Sequence, residues 1–403
     1  MPHVPQELVD LVVDNIHDDR ISLVTASLVC RSWCCATRPH LFRRAVFHIN
    51  SPLLADDDDI SDLDCDLSVP FHRFHLLHQI ILERPSLAYH IRHLVLSGAT
   101  AHKCSPWKQV EPVISSILTR LHRVTSVALR DVHWDHLSPQ CQTTLCTIFS
   151  NPQLSHVDLY SFNAPLPIVF SLVGSAKNLQ SFSTAFTPAT NFRQPFDSLA
   201  TKFAPSRVML HSLEIGSSPR ISELADALLD PKCPVNISNL HHLRMTHVTD
   251  IPVCGQLLRA TGQSLEILEL WAPTSREPRR VGDDISLRFM PALRSFQIKG
   301  LLFSPNVCSV PCLCDIYTVD APHGLEKLEL LVDADNSRRM MLNWSSWSAL
   351  DSVLSSPFFY SLNKVEIKLH FSRPGASTYL GLMALQRAMP RLRQSGILNV
   401  CYA

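Results

Sequence analysis

The chain has 403 residues, is 46% hydrophobic and carries 36 basic against 36 acidic side chains, for zero formal net charge. That balance gives no global attraction to nucleic acid, anionic membranes or acidic substrates. The length suits two or three domains or one elongated repeat array.

No apolar run approaches the roughly 18 residues of a membrane span, and the opening MPHVPQELVD lacks the basic and apolar regions of a secretory signal. No membrane association is expected, and the expected location is cytoplasmic and/or nuclear. The 13 cysteines, odd in number and scattered among apolar segments, read as small buried hydrophobes in a reducing compartment. No two of the 11 glycines lie closer than six positions. The G-x-G-x-x-G turn, the Walker-type loop and the G-x-S-x-G elbow, which need closer glycines, are therefore excluded.

In chain order, residues 4–16 read as a helix with Pro5 at its first position and Leu8, Leu11, Val12 and Ile16 on one face. Glu7 and Asp10 suit its early turns. Asp18 or Asp19 caps a second helix whose apolar positions are Ile21, Leu23, Val24, Leu28 and Val29. A third element begins near Arg31-Ser32, carries Trp33 and is stopped or kinked by Pro39. Leu41-Phe42 and Val46-Phe47 form a further apolar segment. Three helices in so short a stretch bury too little surface for independent stability, so they must lean on a partner or on the rest of the chain.

Pro5, Glu7-Leu8, Ile16, Leu23, the Leu28-Val29-Cys30-Arg31-Ser32-Trp33 run and Leu41-Phe42-Arg43 resemble an F-box. Val29-Cys30 followed by Trp33 is the most specific part. Val4 replaces the leucine that commonly precedes the proline, and His17-Asp18-Asp19-Arg20 replaces the usual leucine-rich end of the first helix. The resemblance implies docking on a Skp-type adaptor, and through it on a cullin, with Pro5, Leu8, Leu28, Val29, Cys30 and Trp33 as contact residues.

Residues 51–70 hold Asp56, Asp57, Asp58, Asp59, Asp62, Asp64 and Asp66 and read as a solvated acidic loop. A calcium loop of the EF-hand type would need a glycine and a closing Glu that are absent. Residues 71–84 return to helical period through Phe71, Phe74, Leu77 or His78, and Ile81. His72, His75 and His78 recur every third position without the fourth ligand that a zinc site needs.

From residue 89 a unit recurs: an apolar residue, two variable, an apolar residue, one variable, an apolar residue. It is clearest at Ile91-Leu94-Leu96, Val124-Val127-Leu129, Leu154-Val157-Leu159, Leu240-Leu243-Met245, Leu265-Leu268-Leu270, Leu293-Phe296-Ile298, Leu325-Leu328-Leu330 and Leu362-Val365-Ile367. Weaker copies fall at Leu179-Phe182, Leu210-Leu213-Ile215 and Ile397-Leu398-Val400. The middle positions are 94, 127, 157, 182, 213, 243, 268, 296, 328 and 365, in steps of 25 to 37 residues. Each unit predicts a short strand. Helical patterns at residues 110–121, 221–228, 350–354 and 380–387 lie between them. Asn151-Pro152, Ala176-Lys177-Asn178 and Met290-Pro291 mark joins. One strand and one helix per period is leucine-rich-repeat logic, in which stacking neighbours bury a continuous core. The units resemble the degenerate repeats that follow F-boxes in many fungal and plant proteins. An ordinary α/β protein of ten such units is the alternative.

Cys308, Cys312 and Cys314 lack zinc-site spacing, and Cys34-Cys35 reads as packing. Arg276, Arg279 and Arg280 read as a solvated loop balanced by Asp283-Asp284. His93, His156, His211, His241, His242 and His247 lie in or beside repeat strands and are expected to be partly buried and hydrogen-bonded, with some exposed to a partner.

The expected fold class is α/β: a three-helix F-box-like module over residues 1–48, an acidic linker and connecting helix over 49–88, and an irregular solenoid of about ten units over 89–403, with parallel strands concave and helices convex. The expected function is substrate recognition in a Skp–cullin–F-box ubiquitin ligase, with an unknown target protein held on the repeats. No catalytic residue, cofactor or metal is expected. The rivals are a repeat scaffold that binds no adaptor and an enzyme on an α/β sheet.

Overall fold

Ten apolar positions spaced as above specify a parallel sheet, and the computed structural model has them there. It describes residues 4–49, 70–98, 107–185, 207–216, 221–246, 251–271, 285–304, 307–308, 313–314, 316–317, 323–334, 344–371 and 376–402. The chain divides into two units, Met1–Leu179 with Ala189–Val208, and Gln180–Pro188 with Met209–Ala403.

The first unit opens with α1 (Gln6–Asn15), α2 (Arg20–Ser27) and α3 (Arg31–Leu41). Strands β1 (Arg44–His48), β2 (His93–Ser97), β3 (Ser126–Arg130) and β4 (His156–Tyr160) then pair in parallel in that order. Helices α4 (Pro70–Glu83), α5 (Trp107–Leu118) and α6 (Pro139–Phe149) fall between successive strands, and α7 (Leu166–Ser175) follows β4. The expected middle residues Leu94, Val127 and Val157 are direct partners, with Ala45 preceding them in the same row.

The second unit repeats the scheme with β5 (Ser181–Ala185), β6 (Ser212–Ile215), β7 (His242–Met245), β8 (Ile267–Trp271), β9 (Ser295–Ser304), β10 (Lys327–Ala334), β11 (Lys364–Phe371) and β12 (Leu398–Tyr402), all parallel and in sequence order. Phe182, Leu213, Leu243, Leu268, Phe296, Leu328 and Val365 form one continuous row. Among its helices are α8 (Ile221–Leu229), α9 (Ile251–Thr261), α10 (Trp344–Leu354), α11 (Ala376–Ala388) and α12 (Pro390–Gln394). Val307–Cys308 folds back antiparallel on the end of β9.

Every residue of the clear apolar triplets is buried, because the strand period of two sends the middle and last positions to one face, where the helices cover them. The joins are stapled by a shared device. In most units the carbonyl two residues before the middle position accepts two consecutive N–H groups of the next unit: Arg43 takes Arg92 and His93, Arg92 takes Thr125 and Ser126, and Glu266 takes Arg294 and Ser295. Asn151 and Asn178 add side-chain bonds from Nδ2 to the carbonyls of His122 (2.8 Å) and Pro152 (2.7 Å). At α6 the Ser138 hydroxyl accepts from the Cys141 N–H, while Ser138 itself donates to Glu111 of α5.

Two residues after the last apolar position of a unit, the chain turns through the left-handed region at Gly98 (φ 85°), Asp131 (52°), Ser161 (51°) and Gly300 (71°). At Gly300 the register also shifts, so two residues of β9 oppose one of β10, which makes a bulge.

Four local expectations change. Pro5 is the N-cap of α1, one residue before the helix. Pro39 lies inside α3 and does not stop it, since the helix runs on to Leu41; it forfeits one ladder bond. Val46-Phe47 belongs to β1, so the segment after the three helices is the first strand of the sheet. Helices α6, α7 and α9, with no helical pattern assigned in advance, fill joins between strands. The acidic run at residues 56–66, Cys312, His247, Arg276, Arg279, Arg280, Asp283 and Asp284 lie outside the described residues.

Candidate functional site

α1, α2 and α3 pack around Val9, Val13 and Leu23, with Ile16, Trp33, Ala36 and Leu41 half-buried against them. Asp19 starts α2: its carboxylate accepts the N–H groups of Ile21 (3.0 Å) and Ser22 (3.1 Å) and the Ser22 hydroxyl. The Ser22 hydroxyl, then its N–H, hold the Asp19 carboxyl below the usual range. The Ser32 hydroxyl donates to Gln6 Oε1 and ties α3 to α1. Buried Thr37 donates to the Trp33 carbonyl (3.0 Å) one turn back.

This small core leaves a large apolar surplus. Leu8, Leu11 and Val12 make one outward stripe on α1, at helical spacing. Ile21, Val24 and Leu28 make a second on α2 and its C-terminal cap, and Val29 follows. Ile21 is 79% exposed, Leu28 81% and Val29 64%. Eight exposed large aliphatics, counting Val4, fall within residues 4–29. Single exposed leucines need no explanation, but such a concentration marks an interaction surface.

The sequence-predicted contact residues divide on this geometry. Leu8, Leu28 and Val29 face outward, Pro5 caps α1 in the open, and Cys30 is exposed at the start of α3. Trp33 is half-buried and spends part of its ring on Val9, Val13 and Leu23. Of the expected apolar face of α1, Leu8, Leu11 and Val12 point outward while Ile16 packs on the core; the buried side is Val9 and Val13. Leu11, Val12, Ile21 and Val24 were missed as surface residues. The available signal was excess, since the Leu8-to-Val13 stretch has one more stripe of aliphatics than a single buried face uses.

The sheet faces opposite the helices differ between units. In the first, the row Val46, Val95, Ala128 and Asp158 is flanked on this face by Arg44, His93 and His156 towards one end of the strands and by His48 and Arg130 towards the other, with Arg130 3.7 Å from Asp158. Burial, then Arg130 and Arg44, lower the His48 pKa; burial, then Arg43 and Arg44, lower that of His93. In the second, opposite charges are laddered across strands. Arg244 lies 3.4 Å from Glu214 and 3.5 Å from Glu269, and Lys299 lies 3.8 Å from Glu269. Glu329 takes Lys368 at 2.7 Å and Lys327 at 3.0 Å. Burial would raise the Glu329 carboxyl, but hydrogen bonds from Lys368, Lys327 and Gln297 outweigh it and hold it at about 2.

Buried His323 is a structural pin that sequence reasoning did not single out. The Leu325 N–H donates to Nδ1 (3.2 Å), which leaves Nε2 to carry the proton and donate to the Met290 carbonyl (2.9 Å). His72 and His75 are exposed on α4, while His78 bonds to Ser116 of α5 (2.8 Å). Cys141, Cys233 and Cys254 are buried as expected, whereas Cys35 is exposed and not a packing residue. No helix among the described residues is long and apolar enough to cross a membrane.

The sequence matches no known protein-family profile, and no curated protein matches it.

Proposed function

We propose that the chain is a substrate receptor of a Skp–cullin–F-box ubiquitin ligase, an F-box followed by a degenerate leucine-rich-repeat solenoid. The observation that carries this reading is the outward apolar surplus of α1 and α2, with Leu28 at 81% and Val29 at 64% exposure. At about 25 cal/mol per Å², such a surface is costly to leave in water and gains by entering a partner's groove. The Skp-type adaptor is that partner, gripped by Leu8, Leu28 and Val29, with Pro5 and Cys30 beside them and the free edge of Trp33 adding to the contact. The adaptor carries cullin, the repeats hold a target protein, and the chain contributes proximity and orientation without bond-making.

The rival scaffold reading requires Leu28 and Trp33 to pack on residues 71–96. Leu28 instead points to solvent, and Trp33 rests on Val9, Val13 and Leu23. Co-expression of the full chain with a Skp-type adaptor tests the proposal. The wild type should bring the adaptor down, and a Leu28→Asp, Trp33→Ala double variant should not. If neither does, the ligase reading fails.

A further inference from the structure

We propose that the first unit binds a phosphate dianion, presented as a phosphomonoester, in a pocket of about 270 Å³ lined by Pro39, His40, Arg43, His90 and Arg92. The pocket lies between the C-terminal end of α3 and the segment that enters β2. It shares no residue with the exposed apolar patch, so anion binding and adaptor docking stand or fall separately.

The two lining arginines start from adjacent backbone, since the Arg92 N–H donates to the Arg43 carbonyl at 2.8 Å. Both side chains are then aimed by neutral acceptors. Arg43 Nε donates to His93 Nε2 (3.2 Å), and Arg92 Nη1 donates to the Arg123 carbonyl (3.1 Å) and Gln153 Oε1 (3.2 Å). Neither arrangement uses the other guanidinium N–H groups or neutralises the charge. Arg38 and Arg123 stand close enough to act on His90, and Arg123 is steadied over the Tyr89 ring at 5.3 Å.

Among the described residues no carboxylate pairs with Arg38, Arg43, Arg92 or Arg123. No acid among the described residues lines the pocket; Asp14, mostly exposed, reaches it only through the lining His40, 3.2 Å away. The local field is therefore positive, and His90 registers it: burial, then Arg92, Arg38 and Arg123, lower its pKa.

Arginines held in place by neutral partners, with their forks open, are a pre-organised receptor for an anion. A phosphomonoester fits best. Its roughly −1.5 to −2 charge and three acceptor oxygens match several guanidiniums, where a carboxylate offers one charge and two oxygens. The small volume and the neutral chain speak against a nucleic-acid track.

The experiment titrates the full chain with inorganic phosphate, against chloride at matched ionic strength, by calorimetry and thermal shift. Saturable phosphate binding is expected, weakened about tenfold or more by Arg43→Gln or Arg92→Gln, since each removes a hydrogen bond to a charged group. Arg92→Lys should recover part of the affinity. Circular dichroism keeps folding failures apart from binding failures.

A phosphoserine peptide that competes more than about tenfold better than inorganic phosphate assigns the anion to a polypeptide; equal competition from a free phosphate ester assigns it to a small molecule. No saturable response to phosphate beyond chloride, or an equal response from an Arg43→Gln, Arg92→Gln double variant that keeps its fold, overturns the proposal.

Discussion

Asp351→Ala tests whether a carboxylate buried inside the second unit, not a local cap, starts the C-terminal helix α12. Asp351 sits on α10 at 2% exposure. Its Oδ2 accepts the Arg391 N–H at 3.1 Å and its Oδ1 the Leu392 N–H at 3.0 Å, while Met389, the N-cap of α12, offers no capping side chain. Each hydrogen bond to a charged group contributes about 1.5–3 kcal/mol, and truncation leaves two helix N–H groups without a partner. Relief of the carboxylate's own desolvation offsets part of this, so the net loss should be about 3 kcal/mol. Asp351→Asn keeps one acceptor oxygen and should lose about half as much. With a urea slope of about 3 kcal/mol per M for a unit of this size, equilibrium unfolding followed by circular dichroism should shift its midpoint by about 1 M for the alanine variant. A shift below about 0.2 M would refute the argument that this carboxylate caps α12.

Other perturbations probe the sheet and its joins. A Cβ added at Gly262 would lie 2.6 Å from the Leu258 carbonyl oxygen and 2.9 Å from the Phe289 carbonyl carbon, and closer still to the Phe289 oxygen. These are backbone atoms that no rotamer moves, so Gly262→Ala should cost about 2–3 kcal/mol, whereas Gly324→Ala, which meets nothing within 4 Å, should stay within about 0.5 kcal/mol. Glu329 has its carboxyl lowered from 4.5 to about 2, so its contribution is complete above 4.5 and is lost as pH falls toward 2. The shift alone is worth about 3 kcal/mol, which the 33% and 41% exposure of Lys368 and Lys327 reduces to about 1–2 kcal/mol. Glu329→Gln should flatten the acid limb of a stability–pH curve by that amount. For His323 the folded pKa lies below 6.5, chiefly through burial, so the unfolded chain takes up the proton first. Stability should fall as pH drops below 6.5, and His323→Gln should remove that slope.

The repeat was legible because its physics is local. A middle residue such as Leu94 or Phe296 must be apolar in every unit, and the step between units does not matter as long as each strand finds its neighbour. That is why ten middle positions spaced unevenly along the chain still fall into register within their units. The helices were legible only where one face is distinctly apolar. Ile221–Leu229 shows such a face. Leu166–Ser175 is apolar nearly all round, and Pro139–Phe149 mixes Thr and Cys into its buried side, so neither announces its period. The candidate site was legible in type but not in direction. In α1, residues Leu8, Val9, Leu11, Val12 and Val13 offer two apolar stripes, and periodicity cannot say which one meets Leu23 and Trp33 and which meets solvent. The pins at Asp351 and His323 were out of reach, since Arg391 and Met290 become their neighbours only through tertiary packing.

Docking of an adaptor on the outward stripe of the N-terminal helices, as proposed, is open to a binding measurement. The most direct measurement is the affinity of the purified full chain for a Skp-type adaptor, by calorimetry, for the wild type and for Leu28→Asp alone. Leu28 is 81% exposed, so the substitution should leave the fold and its unfolding midpoint unchanged. Burial of a leucine is worth about 1.5–3 kcal/mol, and a charge in its place adds a desolvation cost, so the dissociation constant should rise by about 100-fold or more. An adaptor that binds the wild type and Leu28→Asp equally, or binds neither, would contradict the account.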